Sequence, residues 1–216
     1  RDQIRIVNDN LLTYNNTFGD HDVNVLAGLT VQGRRVEDAQ QTGVGYTNDL
    51  VKTLNAATSI SSWSEYNENR RKVGYFARLN YSYKEKYLLN ASVRRDGSSV
   101  FGLDSKWGTF PAVSVGWNVH NENFLNESDF ISKFKLRGSY GFTGNENFGG
   151  DNLSTQYFPY IALLSSDTYG VDNVSTTALS PANLSNTTLK WEANRDLSIG
   201  LDYGLFNNRI TGSFDW

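Results

Sequence analysis

Polar and apolar side chains alternate along most of this chain, and this period of two constrains its fold more than any other feature. Between residues 72 and 83, the odd positions are apolar or aromatic and most even positions are polar or small. The pattern resumes over residues 87–94, after the charged segment Lys84, Glu85 and Lys86. Because a β-strand points successive side chains to opposite faces, the alternation predicts two strands joined by a short turn.

The same pattern predicts about eight strands in all, and helical periodicity is nearly absent. The predicted strands cover approximately residues 4–18, 22–32, 72–83, 87–94, 113–120, 134–143, 196–203 and 209–216. The expected fold is therefore all-β, with antiparallel strands that run up and down.

Short and long connections interleave along the chain. Short turns are predicted near residues 19–21, 84–86 and 205–208, with a medium one near 121–132, whereas 33–70, 96–106 and 144–190 are predicted to be longer loops. In an up-and-down sheet, this order places the short turns at one end and the long loops at the other. That asymmetry is typical of outer-membrane β-barrels. Structureless loops of such length also count against a compact soluble domain.

Aromatic residues make up 13% of the chain and several flank the predicted short turns. Tyr81, Tyr83 and Tyr87 surround one turn, and Phe18 and Tyr203 lie beside two others. In a barrel they would form a girdle at the membrane surface, where amphipathic rings rest at headgroup level. The alternative is cross-strand aromatic pairing in water.

Composition argues against several other classes of function. The 20 basic and 23 acidic residues give a formal charge of −3, unlike the strongly positive total of a nucleic-acid binder. The absence of cysteine excludes thiolate metal sites and cysteine nucleophiles. His21 and His120 lie far apart with no nucleophile pattern beside them, so we expect the protein not to be an enzyme.

No cofactor is expected from the sequence. The hard oxygen ligands near residue 145 leave a weak possibility of Ca²⁺ in an outer loop. Their spacing matches no defined calcium loop, so a solvated loop is the favoured interpretation. The residues concerned are Asn145, Glu146, Asn147, Asp151 and Asn152.

Four ordered blocks carry a family resemblance. They are GYFARLNYSYKEKYLLNASVRRDGSSVFG (74–102), KWGTFPAVSVGWNVHNENFL (106–125), SKFKLRGSYGFTGN (132–145) and LKWEANRDLSIGLDYGLFNNRITGSFDW (189–216). They lie within residues 74–216, about two thirds of the chain, and they resemble the SusC/RagA-type TonB-dependent transporters of the Bacteroidetes outer membrane.

The resemblance implies a 22-strand transmembrane barrel with an N-terminal plug, a segment that engages the TonB complex, and a SusD-like surface lipoprotein as a lid. It also implies TonB-driven import of large nutrients, either glycans or oligopeptides. Residues 1–216 are accordingly expected to be a partial barrel from the C-terminal half, without the plug and the remaining strands. Outer-membrane lipids are the expected surroundings. Two alternatives stay open, a complete small eight-stranded outer-membrane barrel and a soluble glycan-binding β-domain.

Aromatic residues of the predicted long loops are the candidates for contact with a ligand or with the lid, since aromatic faces stack on sugars and pack on peptide side chains. Packing of loop on loop is the competing interpretation, and it is slightly favoured over ligand contact. The candidates are Trp63 and Tyr66 in the first loop, and Tyr157, Phe158, Tyr160 and Tyr169 in the second.

Arg94, Arg95 and Asp96 form a further motif of the family-like region and are predicted to lie on the lumen side. A functional interpretation pairs the arginines with lumen carboxylates at the barrel mouth. A structural interpretation, which we favour, has them fix a strand end and loop through hydrogen bonds to carbonyls.

Overall fold

A computed structural model describes residues 1–48, 50–51, 53–125, 130–147, 160–171 and 174–216. Eight strands form one antiparallel sheet in the order β1-β2-β3-β4-β5-β6-β9-β10, and β7 and β8 form a separate hairpin. The strands of the large sheet are β1 (Asp2–Phe18), β2 (His21–Val44), β3 (Ser59–Tyr83), β4 (Tyr87–Ser98), β5 (Trp107–Asn118), β6 (Ile131–Asn145), β9 (Glu192–Leu205) and β10 (Ile210–Asp215). The hairpin consists of β7 (Leu164–Val171) and β8 (Val174–Pro181), and three short 3-10 turns cover Leu54–Ala56, Leu103–Ser105 and Val119–Asn121. The sheet confirms the prediction of about eight antiparallel, up-and-down strands.

The register separates the sheet into two chemically different faces. Val25, Leu79, Ala91 and Val113 are directly paired across four neighbouring strands and therefore share one face, which we call the apolar face. The alternate positions of these strands carry mostly polar groups, among them Asn24, Asn80, Asn90 and Ser114, and form the opposite, polar face. The alternation that the sequence shows within each strand is thus kept in phase across the whole sheet, as a half-buried face requires.

Aromatic rings border the apolar face at two heights. Near the short turns, Tyr87 stacks on Tyr83 and Trp117, with ring centroids 6.4 Å apart in each pair. Toward the long connections, Tyr75 stacks on Trp107 at 6.0 Å. Between Trp107 and Trp117, β5 rises about 25 Å at ~3.3 Å per residue and a tilt of ~40°, which matches the height of an apolar membrane band. The rings therefore lie where an interfacial girdle requires them.

The connections alternate in length as the sequence predicts, but the longest predicted loops contain much more strand than expected. Most of 33–70 belongs to β2 and β3, which extend far beyond the aromatic ring near Tyr75 and leave only residues 45–58 as a connection. The segment 144–190 contains the hairpin of β7 and β8. The prediction of a continuous loop is therefore wrong in both places.

Both alternatives left open by the sequence are contradicted by the sheet. Within the described residues, β1 and β10 are opposite edges of an open sheet and do not pair with each other, so the chain is not a complete small barrel. On the apolar face, Val115 is 56% exposed, Leu197 57% and Ile199 55%, so no second layer formed by the described residues covers this face as it would in a soluble sandwich.

None of the helical segments in the described part of the chain is long or apolar enough to cross a membrane.

A small hydrophobic core lies at the end of the sheet that carries the long connections. Val100 and Phe101, from the connection between β4 and β5, pack there with Phe110 and Trp191, and all four residues are buried.

Candidate functional site

A row of neutral polar side chains crosses the polar face at mid-height. Direct cross-strand pairing brings together Asn15, Asn24, Asn80, Asn90, Ser114, Ser139 and Ser198. Asn90 donates to Asn80, Asn80 donates to Asn24 (2.9 Å), and Asn24 donates to Asn15. The row borders a concavity of about 510 Å³ that Asp22, Lys135 and Arg137 also line, so the amides and hydroxyls lie beside charged groups on this face.

Near the short turns, ion pairs tie neighbouring strands together on the polar face. The Arg137 guanidinium in β6 reaches Asp202 of β9 at 3.3 Å and Asp215 of β10 at 2.5 Å. One cation thus holds the carboxylates of two successive strands in register.

Glu122 organises the turn after β5, outside the strands. Its carboxylate accepts hydrogen bonds from Lys86 Nζ (2.9 Å), Tyr87 Oη (2.8 Å) and Trp117 Nε1 (3.2 Å). The ammonium of Lys86, followed by the Tyr87 and Trp117 donors, holds the pKa of the Glu122 carboxyl below its ordinary value. Glu122 therefore links two short turns and the girdle rings between them.

A concentration of positive charge lies on the polar face at the opposite end, where the long connections are. Arg5 is directly paired with Arg34, and Arg34 with Arg70, so three arginines form a row across β1, β2 and β3. Lys72 lies two residues along β3 on the same face. These four residues line a cleft of about 360 Å³, which we call the basic cleft.

Two carboxylates partly balance this charge. Glu146 pairs with Lys72 at 3.4 Å and with Arg70 at 3.7 Å. Glu68 is 1% exposed and lies 3.6 Å from Arg70. Because a buried carboxylate requires a partner, the Arg70 guanidinium is fixed between two acids.

The hydrophobic core at this end supports the basic cleft from the side. Trp191 lies 5.0 Å from Phe101 and 5.5 Å from Phe110 between ring centroids, and its Nε1 donates to the Lys106 carbonyl at 3.0 Å. The Lys72 ammonium lies 5.1 Å from the Trp191 ring centroid. The connection between β4 and β5 is thereby anchored to the wall of the sheet.

The predicted motif at residues 94–96 is divided between the two faces. Arg94 donates to both carboxylate oxygens of Asp96 at 2.9 and 2.7 Å, and these two residues lie on the polar face. Arg95 lies on the apolar face, 5.4 Å from the Trp107 ring centroid. Its predicted lumen-side position is wrong, because successive residues of a strand point in opposite directions.

The predicted aromatic candidates do not come together in one pocket within the described chain. Trp63 and Tyr66 lie in β3 rather than in a loop, with Trp63 77% exposed and Tyr66 partly buried on the opposite face. Tyr160 is partly buried close to Gly102, and Tyr169 is exposed in β7. Tyr157 and Phe158 lie outside the described residues. A contact of these aromatics with a ligand or lid stays a prediction.

The described part of the suggested calcium loop is engaged in protein contacts. Asn145 donates to Glu192 at 2.9 Å and accepts from the Asn147 backbone at 3.0 Å, and the carboxylate of Glu146 faces the cations of the basic cleft. Asp151 and Asn152 lie outside the described residues. Among the residues that are described, no group of three or more His, Cys, Asp or Glu side chains is arranged to hold a metal ion.

The arginine row is not identified by the sequence pattern, which assigns Arg34 and Arg70 to a loop. Arg34 would stand opposite Arg70 only if the pairing of β2 with β3 continued in register beyond residue 33. The alternation that could have predicted this continuation disappears there, because both faces lie beyond the aromatic border.

Comparison with known proteins finds one family model and several relatives that match this chain. The model of the family described as TonB dependent receptor-like, beta-barrel, matches residues 2–216. TonB-dependent receptor P39 of Formosa agariphila is 37% identical over 217 residues, covering 96% of this chain and 19% of the relative. TonB-dependent receptor P3 of the same organism is 34% identical, covering 100% of this chain and 21% of the relative. TonB-dependent receptor SusC of Bacteroides thetaiotaomicron is 40% identical over 146 residues, which are 66% of this chain and 14% of SusC.

Solved structures agree with these relatives. The RagAB peptide transporter superposes with a TM-score of 0.85 at 25% identity, covering 99% of this chain and 23% of the matched chain. The RagAB peptide importer in its 'open-open' state superposes with a TM-score of 0.83 at 26% identity and the same coverage. The chain thus spans about a fifth of the length of the first two curated relatives.

Proposed function

The chain belongs to the family of TonB-dependent receptor-like β-barrels, which lie in the outer membrane, and on that premise we propose that it is a wall segment of an active nutrient transporter. The whole protein would import glycans or oligopeptides with energy supplied through TonB. The segment itself performs no chemistry. It provides a wall whose apolar face contacts lipid and whose polar face lines the transport pathway.

The observation that carries the proposal is the division of one open sheet into an apolar and a polar face between two aromatic borders. Lipid offers no hydrogen-bond partners, so a spanning wall must satisfy every backbone group between neighbouring strands. The long antiparallel ladders from β1 to β10 meet this requirement within the sheet. The polar face, with its row of asparagines and serines, suits a water-filled interior.

The unpaired edges of the sheet support the proposal that it is part of a larger barrel. In the sheet as described, β1 and β10 each have a neighbouring strand on one side only, and an edge of this kind is not stable in hydrocarbon. We propose that further strands of the same protein, up to the 22 expected of the family, close the wall. The plug and the TonB-binding segment would belong to other parts of the protein.

The end with the long connections would face the cell exterior, as it does in outer-membrane barrels generally. A SusD-like lipoprotein lid would cover this end, which the likeness to SusC and to RagAB supports. Trp63 and Tyr169, both exposed, are candidates for contact with that lid or with the ligand, together with Tyr66 and Tyr160.

The test uses the full-length protein in its native host. We expect it to fractionate with the outer membrane, and we expect deletion of its gene to reduce uptake of a labelled oligosaccharide or oligopeptide mixture. Deletion of the host's TonB should reduce uptake to the same extent, because the energy would come from that complex. Recovery of the full-length protein in the soluble fraction, or unchanged uptake of both mixtures after deletion, would contradict the proposal.

A further inference from the structure

Two exposed arginines lie on the lipid-facing side of the sheet, at its outer aromatic border and above it. Arg95 of β4 stands directly opposite Tyr75 of β3, and its side chain is exposed. Arg71 lies further along β3 on the same face as Tyr75, and its side chain is exposed as well. Because residues of one parity share a face of a strand, both guanidinium groups point away from the interior of the barrel.

An aromatic platform holds the lower of the two arginines at the border. The Arg95 guanidinium lies 5.4 Å from the Trp107 ring centroid, and Trp107 stacks on Tyr75 at 6.0 Å. The Trp107 indole lies across Gly97 of the neighbouring strand, where an added Cβ would come within 2.9 Å of the ring carbons. A side chain at position 97 would displace the indole, so Gly97 fixes the height at which Trp107 and Arg95 meet the membrane.

The described part of the chain supplies no carboxylate to either of these arginines. On the same face, Arg35 forms an ion pair with Glu37. Arg71 and Arg95 form no ion pair with any described residue. A positive charge beside hydrocarbon is unfavourable unless it reaches the headgroup layer and meets an anion there. The two guanidinium groups therefore lie where anionic lipid headgroups would satisfy them.

The difference in height between the two arginines indicates the kind of headgroup. The backbone of Arg71 pairs with Ser99, which lies four residues beyond Arg95 in the sequence, through hydrogen bonds of 2.9 and 3.0 Å. At ~3.3 Å per residue and a tilt of ~40°, Arg71 lies about 10 Å above Arg95. A glycerophospholipid carries its phosphate at one level, next to the acyl chains. A glycolipid with phosphorylated sugars distributes its phosphates over this range of heights.

We propose that Arg95 and Arg71 form a binding site for a phosphorylated glycolipid of the outer leaflet. The guanidinium groups donate paired, charge-assisted hydrogen bonds to its phosphates. Tyr75 and Trp107, 51% and 48% exposed, contact its sugars at headgroup level, and its acyl chains lie on the apolar face below. The site lies on the outside of the wall, apart from the transport pathway. It rests on the proposed orientation of the long connections toward the cell exterior.

The test compares Arg71→Gln and Arg95→Gln with Arg35→Gln in the purified full-length transporter. Arg35→Gln is the matched control, because it removes the same charge from the same face, but from a residue that is already paired with Glu37. Each protein is titrated in nonionic detergent, and the bound lipid is measured by native mass spectrometry. The three probes are a rough-type lipopolysaccharide with phosphorylated inner sugars, the same glycolipid after removal of its phosphates, and phosphatidylglycerol.

We expect the unaltered protein to bind the phosphorylated glycolipid more tightly than the other two lipids. Arg71→Gln and Arg95→Gln should each weaken this binding about fivefold, the effect of one basic residue at an anionic lipid surface. Both variants should leave the affinity for the dephosphorylated glycolipid unchanged. Arg35→Gln should change none of the three affinities.

Equal losses in all three variants would overturn the site, because they would show a general effect of charge. Unchanged binding of the phosphorylated glycolipid in Arg71→Gln and Arg95→Gln would overturn it as well. If phosphatidylglycerol bound as tightly, with the same losses, the choice of a glycolipid would be wrong. These results are separable from failure of the proposed function, because uptake after gene deletion is measured independently of lipid binding.

Discussion

Placing an arginine on the apolar face tests whether this face of the sheet contacts membrane hydrocarbon. Val113 is 43% exposed on that face and lies between Trp107 and Trp117, the aromatic borders of β5. If hydrocarbon surrounds it, Val113→Arg should cost about 2–4 kcal/mol, the penalty measured for arginine at a bilayer midplane. The folding equilibrium constant would then fall by about 30- to 1000-fold. If water surrounds it, the change should stay within about 0.5 kcal/mol, as for an ordinary surface substitution.

The assay is urea unfolding of the full-length protein in lipid vesicles, followed by the loss of heat-modifiable migration on gels. Ser114→Arg is the matched control, because it carries the same charge at the adjacent residue on the polar face. Thr109→Arg places the charge close to the outer aromatic border, where the cost should fall to about 0–1 kcal/mol. Equal midpoints for Val113→Arg and Ser114→Arg would refute the reasoning, since they would show that the two faces meet the same solvent.

Three further predictions concern the contacts of Glu122 and Trp191, at the two ends of the sheet, and the asparagine row at mid-height. Glu122→Gln should remove a contribution to stability that depends on the ionised carboxylate. Because folding lowers the pKa of Glu122, this contribution is fully present above about pH 4.5 and is lost as the pH falls through the lowered pKa. Melting curves of the variant and of the unaltered protein, compared between pH 3 and 7, should reveal this loss. Trp191→Ala should loosen the connection between β4 and β5, with a loss of about 3–5 kcal/mol in local stability measured by hydrogen exchange, whereas Trp191→Phe should lose less. Asn80→Leu breaks the hydrogen bonds to Asn24 and Asn90 and should cost about 1–3 kcal/mol in urea unfolding, with Ser82→Ala as a nearly neutral control on the same face.

The sequence alone determined which face of each membrane-crossing strand meets lipid. Alternation is a local property, because it depends only on whether neighbouring residues point to hydrocarbon or to water. For the same reason, the order of short and long connections and the aromatic border near Tyr83 and Tyr87 could be predicted without coordinates. Arg95 shows the same rule applied too loosely, since its odd position in β4 already assigns it to the apolar face.

Only the tertiary structure decided how the chain is arranged above the membrane. Beyond the aromatic border both faces of β2 and β3 meet water, so the two-residue period fades and strands are mistaken for loops. The row of Arg5, Arg34 and Arg70 exists only through the register of three strands, which brings together residues far apart in the sequence. The burial of Glu68 and Trp191 likewise depends on segments that meet only after folding. Contacts between segments that are distant in the sequence produce no periodic pattern in any single segment, so the sequence alone does not predict them.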